Sequence, residues 1–404
     1  MNKEKPKMTS AQRRLLFGAI FLMATSAIGP AFLTQTTIFT EQFLASFAFA
    51  ILLSIIIDIG AQLNIWRVLT VTGKRGQDIS NEVFKGLGSF IAILIVLGGL
   101  AFNIGNVAGA GLGFNALLGI DVRIGAVITG ILAIIIFSSK SANKMMDVVT
   151  QILGVVMLLT VAFVMIKVQP PYGEALTKMV MPDNPLGLVM PLVTIVGGTV
   201  GGYITFAGAH RLIDDGMVGK ANLPFVSRAA NLGILTTGLM RFCLFLAVLG
   251  VVATGVKLDP VNPPASAFQH ALGPIGPKIF GLVLLAAALT SVIGAAYTSA
   301  SFLKGFHPVF TKHNNIVVIS FIVFSTIVFL LVGKPVKLLV LAGAFNGLIL
   351  PITLTAILIA SKNKRIVGDY KHPTWLLILG VIAVLATIGA GFMSIQSLID
   401  LWNQ

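Results

Sequence analysis

The chain has 404 residues, of which 56% are hydrophobic and 10% are charged. A soluble globular protein carries about 25% charged residues, so this composition indicates a membrane protein, as does the mean hydropathy of +0.96. The formal net charge of +14 does not indicate a nucleic-acid partner, because the basic residues lie in short loops rather than on one amphipathic face. A single cysteine, Cys243, excludes an intrachain disulfide and a Cys-x-x-Cys metal motif.

Apolar stretches long enough to cross a bilayer recur along the whole chain, since a membrane helix needs about 20 residues. We predict eleven spans, numbered in chain order: 15–38, 43–65, 86–113, 122–139, 145–167, 186–211, 228–256, 274–301, 315–333, 336–361 and 373–399. Most of the 28 Lys and Arg residues lie in loops on the side of the N-terminus. This distribution predicts a multi-pass protein of the cell (plasma) membrane with a cytoplasmic N-terminus.

Glycine and proline interrupt span 1 and span 6. The first interruption is centred on Gly29-Pro30, and the second contains Gly197-Gly198 and Gly201-Gly202. Lipid offers no hydrogen bonds, so backbone that is broken at this depth must be buried or line a cavity. Interrupted segments in corresponding positions of two halves indicate the binding site of a secondary transporter.

The two interrupted spans divide the chain into two halves of five spans, 15–167 and 186–361, with span 11 (373–399) outside them. Because five is odd, the second half enters the membrane with the opposite orientation. We therefore predict one all-α transmembrane domain over residues 1–404, built as an inverted five-plus-five repeat in which helices 1 and 6 are broken.

Several segments resemble the NRAMP family of metal transporters, and the similarity covers essentially all eleven spans. They are Gly29-Pro30, the region from Ser54 through Gln62 and Arg67 to Thr72-Gly73-Lys74, the third span at 103–109, Pro351 in span 10, and the loop 361–368. The resemblance implies a LeuT-like fold and secondary active transport, by symport and alternating access.

The working residues of that family are absent from this sequence. Its Asp-Pro-Gly-Asn motif stands here as Gly29-Pro30-Ala31-Phe32, and its Met-Pro-His motif as Gly201-Gly202-Tyr203. The acids of its third span correspond to Asn103 and Asn106, and its span 10 glutamine falls near Ile349. A dehydrated divalent cation needs anionic or strongly donating ligands, which these residues do not supply.

Glycines in place of Met and Pro are expected to leave a roomier and more neutral cavity. Such a cavity favours a small polar or anionic organic solute over a bare metal ion. The alternative is transport of a divalent metal of the Mn, Fe or Mg type, as in the named family, through carbonyl ligands or with a partly hydrated ion.

The predicted solute site comprises the two breaks, two amides of span 3 and a cation of span 7: Ser26, Gly29, Pro30, Ala31, Phe32, Asn103, Asn106, Gly201, Gly202, Tyr203 and Arg241. The glycines could instead serve close helix packing, and the two asparagines could join helices. Arg241 could pair with an anionic solute or with Asp58, or fill a structural role.

Coupling to an ion gradient is expected, because the chain carries no ATP-binding motif. Thr290 and Ser291 of span 8 could form a sodium site, or bond their own helix backbone. His210 and Arg211, followed by Asp214 and Asp215, are interpreted as a solvated face, although an imidazole could also serve proton coupling. Both H⁺ and Na⁺ therefore remain candidate coupling ions.

Motifs of hydrolases, metalloproteases and nucleotide-binding enzymes are absent, so no catalytic residue, resident metal site or cofactor is predicted. The expected partners are a small-molecule solute and the lipid bilayer, with no nucleic acid.

Overall fold

The computed structural model describes the backbone of residues 10–403, and the side chains of that range except those at 10–12, 14, 19, 21, 22, 25, 140–151, 153, 396–398 and 401–403. Over residues 10–403 the chain is helical and contains no strand. The α-helices are α1 (Ser10–Ala27), α2 (Pro30–Phe43), α3 (Phe47–Thr72), α4 (Gly76–Val83), α5 (Leu87–Leu118), α6 (Val122–Ser138), α7 (Lys140–Val168), α8 (Tyr172–Lys178), α9 (Val189–Val200), α10 (Ile204–Asp214), α11 (Leu223–Val252), α12 (Pro263–Leu272), α13 (Gly276–Leu303), α14 (Pro308–Lys312), α15 (Asn314–Val332), α16 (Pro335–Lys362), α17 (Lys364–Val367) and α18 (Thr374–Asn403).

Both predicted interruptions contain a break between helices, although Gly197 and Gly198 of the second one lie within α9. Gly29 separates α1 from α2 with extended backbone (φ −110°, ψ −173°), and Pro30 opens α2 at the position where a helix tolerates proline. The second break lies between α9 and α10, where Gly202 adopts a φ of +53° that side-chain-bearing residues rarely take. These two short segments are hereafter called break 1 (28–29) and break 6 (201–203).

Long helices surround the two breaks. Helix α5 packs along α13, and α16 packs along both α9 and α5. On the other side, α3 packs along α11, and α2 contacts α9, α11 and α16. The half-helices are therefore enclosed by complete helices, which is the arrangement that lets broken backbone exist at membrane depth.

Apolar helical segments within residues 10–403 fit a polytopic membrane protein. Eight are long and apolar enough to cross a membrane, or nine if the bent pair Gly154–Val168 and Tyr172–Lys178 is one span. The predicted number of eleven spans stays a prediction, because α6 has 17 residues and Pro30–Thr72 forms one continuous apolar segment. Span 3 is longer than predicted and runs to Leu118, and α12 lies in what was predicted to be a loop.

A series of side-chain hydrogen bonds connects the start of α18 to α3. The Nδ2 amide of Asn64 donates to the Leu376 carbonyl at 2.9 Å, and its Oδ1 lies 2.7 Å from Nε2 of His372. Tyr370 OH lies 3.2 Å from Nδ1 of His372, and Nε of Arg67 donates to the Tyr370 oxygen at 2.9 Å. This pattern fits a neutral imidazole that donates from Nε2 and accepts at Nδ1.

Acid is expected to weaken this attachment. Burial, followed by the positive charges of Arg67 and Lys362, lowers the pKa of His372 to about 4, below the value of about 6.5 in an unfolded chain. The unfolded state therefore binds more protons between these two values, and stability falls as pH drops through that window. Thermal unfolding of the purified protein between pH 7 and pH 4 should show this loss. The variant His372→Gln should have a flatter profile, whereas exposed His313→Gln should retain the wild-type slope.

Candidate functional site

Break 1 releases backbone donors into the centre of the bundle. The Gly29 N–H donates to the Ala27 carbonyl at 2.9 Å, and the Leu33 N–H donates to the Gly29 carbonyl at 3.2 Å. The N–H groups of Ala31 and Phe32 belong to the first turn of α2, so they have no acceptor within that helix. They add to the partial positive charge of the helix N-terminus, which favours an anion or a carbonyl oxygen there.

Asn106 and Ser291 face break 1 from α5 and α13. A Cβ built on Gly29 would lie 2.7 Å from Oγ of Ser291 and 3.4 Å from Oδ1 of Asn106. Glycine at this position therefore lets two polar side chains approach the backbone closely. The structure confirms neither a solute nor a sodium role for these residues, but it places both side chains at the break.

Tyr203 connects the second break to the same place. Its ring is fully buried and packs edge-to-face against Phe102, with 5.8 Å between the centroids. Its hydroxyl lies close to the Asn106 amide, yet neither the hydroxyl nor Nδ2 of Asn106 has a hydrogen-bond partner of good geometry. Buried polar atoms are normally satisfied, so this pair is a candidate for contact with a solute.

Glycines of break 6 serve close packing rather than an open cavity. A Cβ on Gly201 would lie 2.7 Å from the Asn346 carbonyl, and a Cβ on Gly202 would collide with Oδ1 of Asn346. A Cβ on Gly198 would likewise lie 2.8 Å from Oε1 of Gln35. The expectation that glycines empty volume here is therefore wrong for this arrangement, since neighbouring residues take up the space.

Asn346 and Gln35 are functional candidates that the sequence did not reveal. Asn346 of α16 donates from Nδ2 to the carbonyls of Gly98 and Ala342, at 2.9 and 2.8 Å, while its Oδ1 lacks a partner. Gln35 of α2 donates to the Leu339 carbonyl at 2.8 Å, and its Oε1 is likewise unpartnered. For Asn346, an isolated amide in a mainly apolar helix is a signal that the sequence offers, whereas Gln35 lies among the threonines of α2 and has no such signal.

Arg241 reaches both breaks from α11. Its guanidinium lies 4.2 Å from the centroid of the Phe32 ring, and Nη2 donates to Oγ1 of Thr199 at 3.1 Å. Phe32 belongs to the first turn of α2 and Thr199 to the last turn of α9. The structure therefore brings Arg241 to the same centre as the two breaks, with Asp58 of α3 near enough to interact electrostatically.

Three other predicted residues lie apart from this centre or at its margin. Asn103 donates to Oγ of Ser325 at 3.1 Å and so faces α15 rather than the breaks. Thr290 donates to the Ala286 and Ala287 carbonyls of its own helix, which is the alternative that the sequence left open to a sodium site. Ser26 is buried in the last turn of α1.

The interpretation of His210 as part of a solvated face is wrong. Its side chain is buried between Phe206 and Phe302, and Nε2 accepts a 3.4 Å hydrogen bond from the Gly76 N–H. One turn later, Asp214 does lie at the surface, where it forms a 2.7 Å ion pair with Arg75. Helix α10 is thus inserted more deeply than its charged C-terminal end suggested.

An apolar cavity of about 340 Å³ lies beside break 1, between α1, α7, α11 and α13. Among the residues that line it, only Thr236 and Thr290 are polar. It therefore does not suit a polar solute, and we do not take it for the solute site. Within the described residues, no group of three or more His, Cys, Asp or Glu side chains could hold a metal ion.

Similarity to known proteins now identifies the fold. Residues 20–397 match the family described as Nramp, natural resistance-associated macrophage protein-like. The chain belongs to the Nramp family. It is 53% identical to the uncharacterized membrane protein YcsG of Bacillus subtilis, over 99% of this chain and 100% of that one. It is 25% identical to the divalent metal cation transporter MntH of Yersinia enterocolitica, over 74% of each chain.

Solved structures agree with the family assignment. A mutant of the manganese transporter of Eremococcus coleocola superposes with a TM-score of 0.76 at 19% identity, covering 98% of this chain and 90% of that chain. MhsT in complex with L-phenylalanine superposes with a TM-score of 0.67 at 17% identity, covering 94% and 98%. The predicted LeuT-like fold is confirmed, and this Nramp protein is a membrane transporter rather than an enzyme.

Alanine at position 202 is expected to destabilise the protein through a specific clash. The left-handed backbone alone costs a side-chain-bearing residue about 1–2 kcal/mol. Gly202→Ala would also drive Cβ into Oδ1 of Asn346, whereas Gly216, with a φ of +76°, has nothing within 4 Å of its Cβ position. Thermal unfolding should therefore show a larger loss for Gly202→Ala than for Gly216→Ala. Adding Asn346→Ala should recover part of the difference, and equal losses for the two alanine variants would contradict the clash.

Proposed function

We propose that this Nramp protein is an ion-coupled secondary transporter of a small polar organic solute, and of an anionic one in particular. The observation that carries the proposal is the charge at the breaks. The described side chains that face them are neutral, except for the buried guanidinium of Arg241, whose Nη1 has no hydrogen-bond partner. The carboxylate of Asp58 balances the positive charge of Arg241 but forms no hydrogen bond with Nη1.

A bare divalent cation fits these groups poorly. Asn106, Tyr203 and Ser291 supply neutral oxygens, whereas manganese and iron favour carboxylate or imidazole ligands. A cation in this position would also lie near the positive charge of Arg241. The nearby carboxylate, that of Asp58, lies on α3 and interacts with Arg241 and Thr199.

An organic anion fits the same groups better. The free N–H groups of Ala31 and Phe32, Nδ2 of Asn106 and the hydroxyl of Tyr203 can all donate hydrogen bonds. The N-terminus of α2 contributes partial positive charge. The same fold occurs in MhsT, which was solved with L-phenylalanine, so the architecture accommodates an organic solute.

Divalent metal transport is the second candidate, and it rests on the relatives named MntH. Their sequences are 21–25% identical to this chain where they align, and they carry the name divalent metal cation transporter. Offering both classes of solute to the same protein decides between the two candidate functions.

A ligand screen tests the proposal. A ligand that binds the folded state raises the unfolding temperature by mass action. We expect acetate, L-lactate or amino acids of net negative charge to stabilise purified protein, and matched uncharged amides such as lactamide to do so less. Manganese and magnesium should have little effect, and uptake of manganese into proteoliposomes without response to any organic solute would overturn the proposal.

Asn106→Asp provides the sharpest variant, because it changes charge without changing shape. A carboxylate beside break 1 should weaken binding of an anionic ligand by about tenfold or more, through like-charge repulsion in a region of low dielectric. Asn103→Asp is the matched control, since Asn103 is equally buried on the same helix but faces Ser325. Thermal-shift titrations should show weaker binding for Asn106→Asp alone. Equal weakening in both variants would indicate a general effect of buried charge.

A further inference from the structure

Two opposite charges are buried in the membrane region of the protein. Of the described Asp, Glu, Lys and Arg side chains, those of Asp58 and Arg241 are buried, and each is 2% exposed. Asp58 lies on α3 and Arg241 on α11, two complete helices that pack along each other. Ionisable residues within membrane spans are costly and generally functional, so the pair calls for a physical explanation.

The two charges do not satisfy each other fully. Nη1 of Arg241 and Oδ1 of Asp58 both lack a hydrogen-bond partner. The contacts that Arg241 does make, to the Phe32 ring and to Oγ1 of Thr199, place it between the half-helices that end and begin at the breaks. Nη1 is therefore a free donor at the site where an anionic solute is proposed to bind.

Thr199 lies between the two buried charges. The Thr199 hydroxyl donates its one proton to the Ile195 carbonyl at 2.8 Å and accepts from Arg241. The carboxyl of Asp58 lies within hydrogen-bonding reach of the same hydroxyl. By rotating, the hydroxyl can donate to an ionised Asp58 or accept from a protonated one, so Thr199 accommodates both forms of the carboxyl.

Charge balance links this proton to the solute. In a low-dielectric interior an uncompensated charge is strongly disfavoured, so the site is expected to stay close to neutral. Without solute, ionised Asp58 balances Arg241. With a monoanion on Arg241, neutrality requires that Asp58 carry a proton. The charged group that acts on Asp58 is Arg241, and the titratable His210 of α10 lies instead against Gly76 and Ser301.

We propose that Asp58 takes up one proton from solution when a monoanionic solute binds to Arg241, so that proton and anion cross the membrane together without net charge. The step forms one O–H bond on the Asp58 carboxylate and breaks none within the protein. Its anion half rests on the proposed function. By thermodynamic linkage, the proton must strengthen anion binding by the same factor by which the anion strengthens proton binding.

Infrared spectroscopy of the full-length protein in proteoliposomes tests the proton site without any solute. The chain has 14 Asp and Glu residues, so the band of protonated carboxyls grows on acidification in every variant, but the component due to Asp58 should be present in wild type and missing in the isosteric Asp58→Asn variant. In Arg241→Met, which removes the balancing cation, the same component should appear at higher pH. Identical titrations in wild type and Asp58→Asn would overturn the assignment of the proton to Asp58. If Asp58→Asn does not fold, the Asp58→Glu variant should shift this component in frequency and pH, and an unshifted component would overturn the assignment.

Transport measurements test the coupling. With L-glutamate, which unlike acetate or L-lactate has no uncharged form that diffuses through lipid, a pH gradient should drive accumulation by about tenfold per pH unit, independently of membrane potential. Asp58→Asn should lose the drive by the pH gradient, so that any exchange it retains no longer follows pH, whereas surface variant Asp259→Asn should keep the drive. If transport by Asp58→Asn is still driven by the pH gradient, the proposed coupling is overturned but the proposed function is not. Absence of exchange in wild type with every organic solute overturns the proposed function instead.

Discussion

Lipid supplies no hydrogen-bonding partner, and every backbone group released where α1 and α9 end must find one inside the bundle. This constraint explains why the breaks lie at the centre, enclosed by α5, α11, α13 and α16. It also explains the polar side chains around them. Asn106, Asn346 and Gln35 approach the broken backbone or the glycines beside it, and they would have no function on a lipid-facing surface.

The same constraint leaves the centre incompletely satisfied. Tyr203, Asn106 and Asn346 each keep a buried polar atom without a partner, and so do the two buried charges, Asp58 and Arg241. Such atoms carry a desolvation cost unless something binds to them during part of a working cycle. In a transporter, the solute and its coupling ion are the natural candidates to bind these atoms.

Membership of the Nramp family determines less about the solute than about the architecture. The chain keeps the broken half-helices of the fold, and the glycines Gly29, Gly201 and Gly202 and the neutral side chains of Asn106 and Tyr203 lie at its breaks. The glycines let α9 pack against α16 so closely that Asn346 fills the space at Gly202. Retained backbone geometry and altered side-chain chemistry can coexist because helix packing and solute contacts depend on different atoms of the same residues.

The sequence by itself determined the all-helical membrane class, the two breaks and their central residues. It did so because Gly29-Pro30 and Gly201-Gly202 interrupt apolar runs whose length the bilayer sets. Only the tertiary structure decided which faces meet. It bonded Thr290 to its own helix, buried His210, turned Asn103 towards Ser325 and brought Asn346 to Gly202. These outcomes depend on the rotation of each helix about its axis and on contacts between residues far apart in sequence. A uniformly apolar helix does not encode that rotation in its hydrophobic pattern.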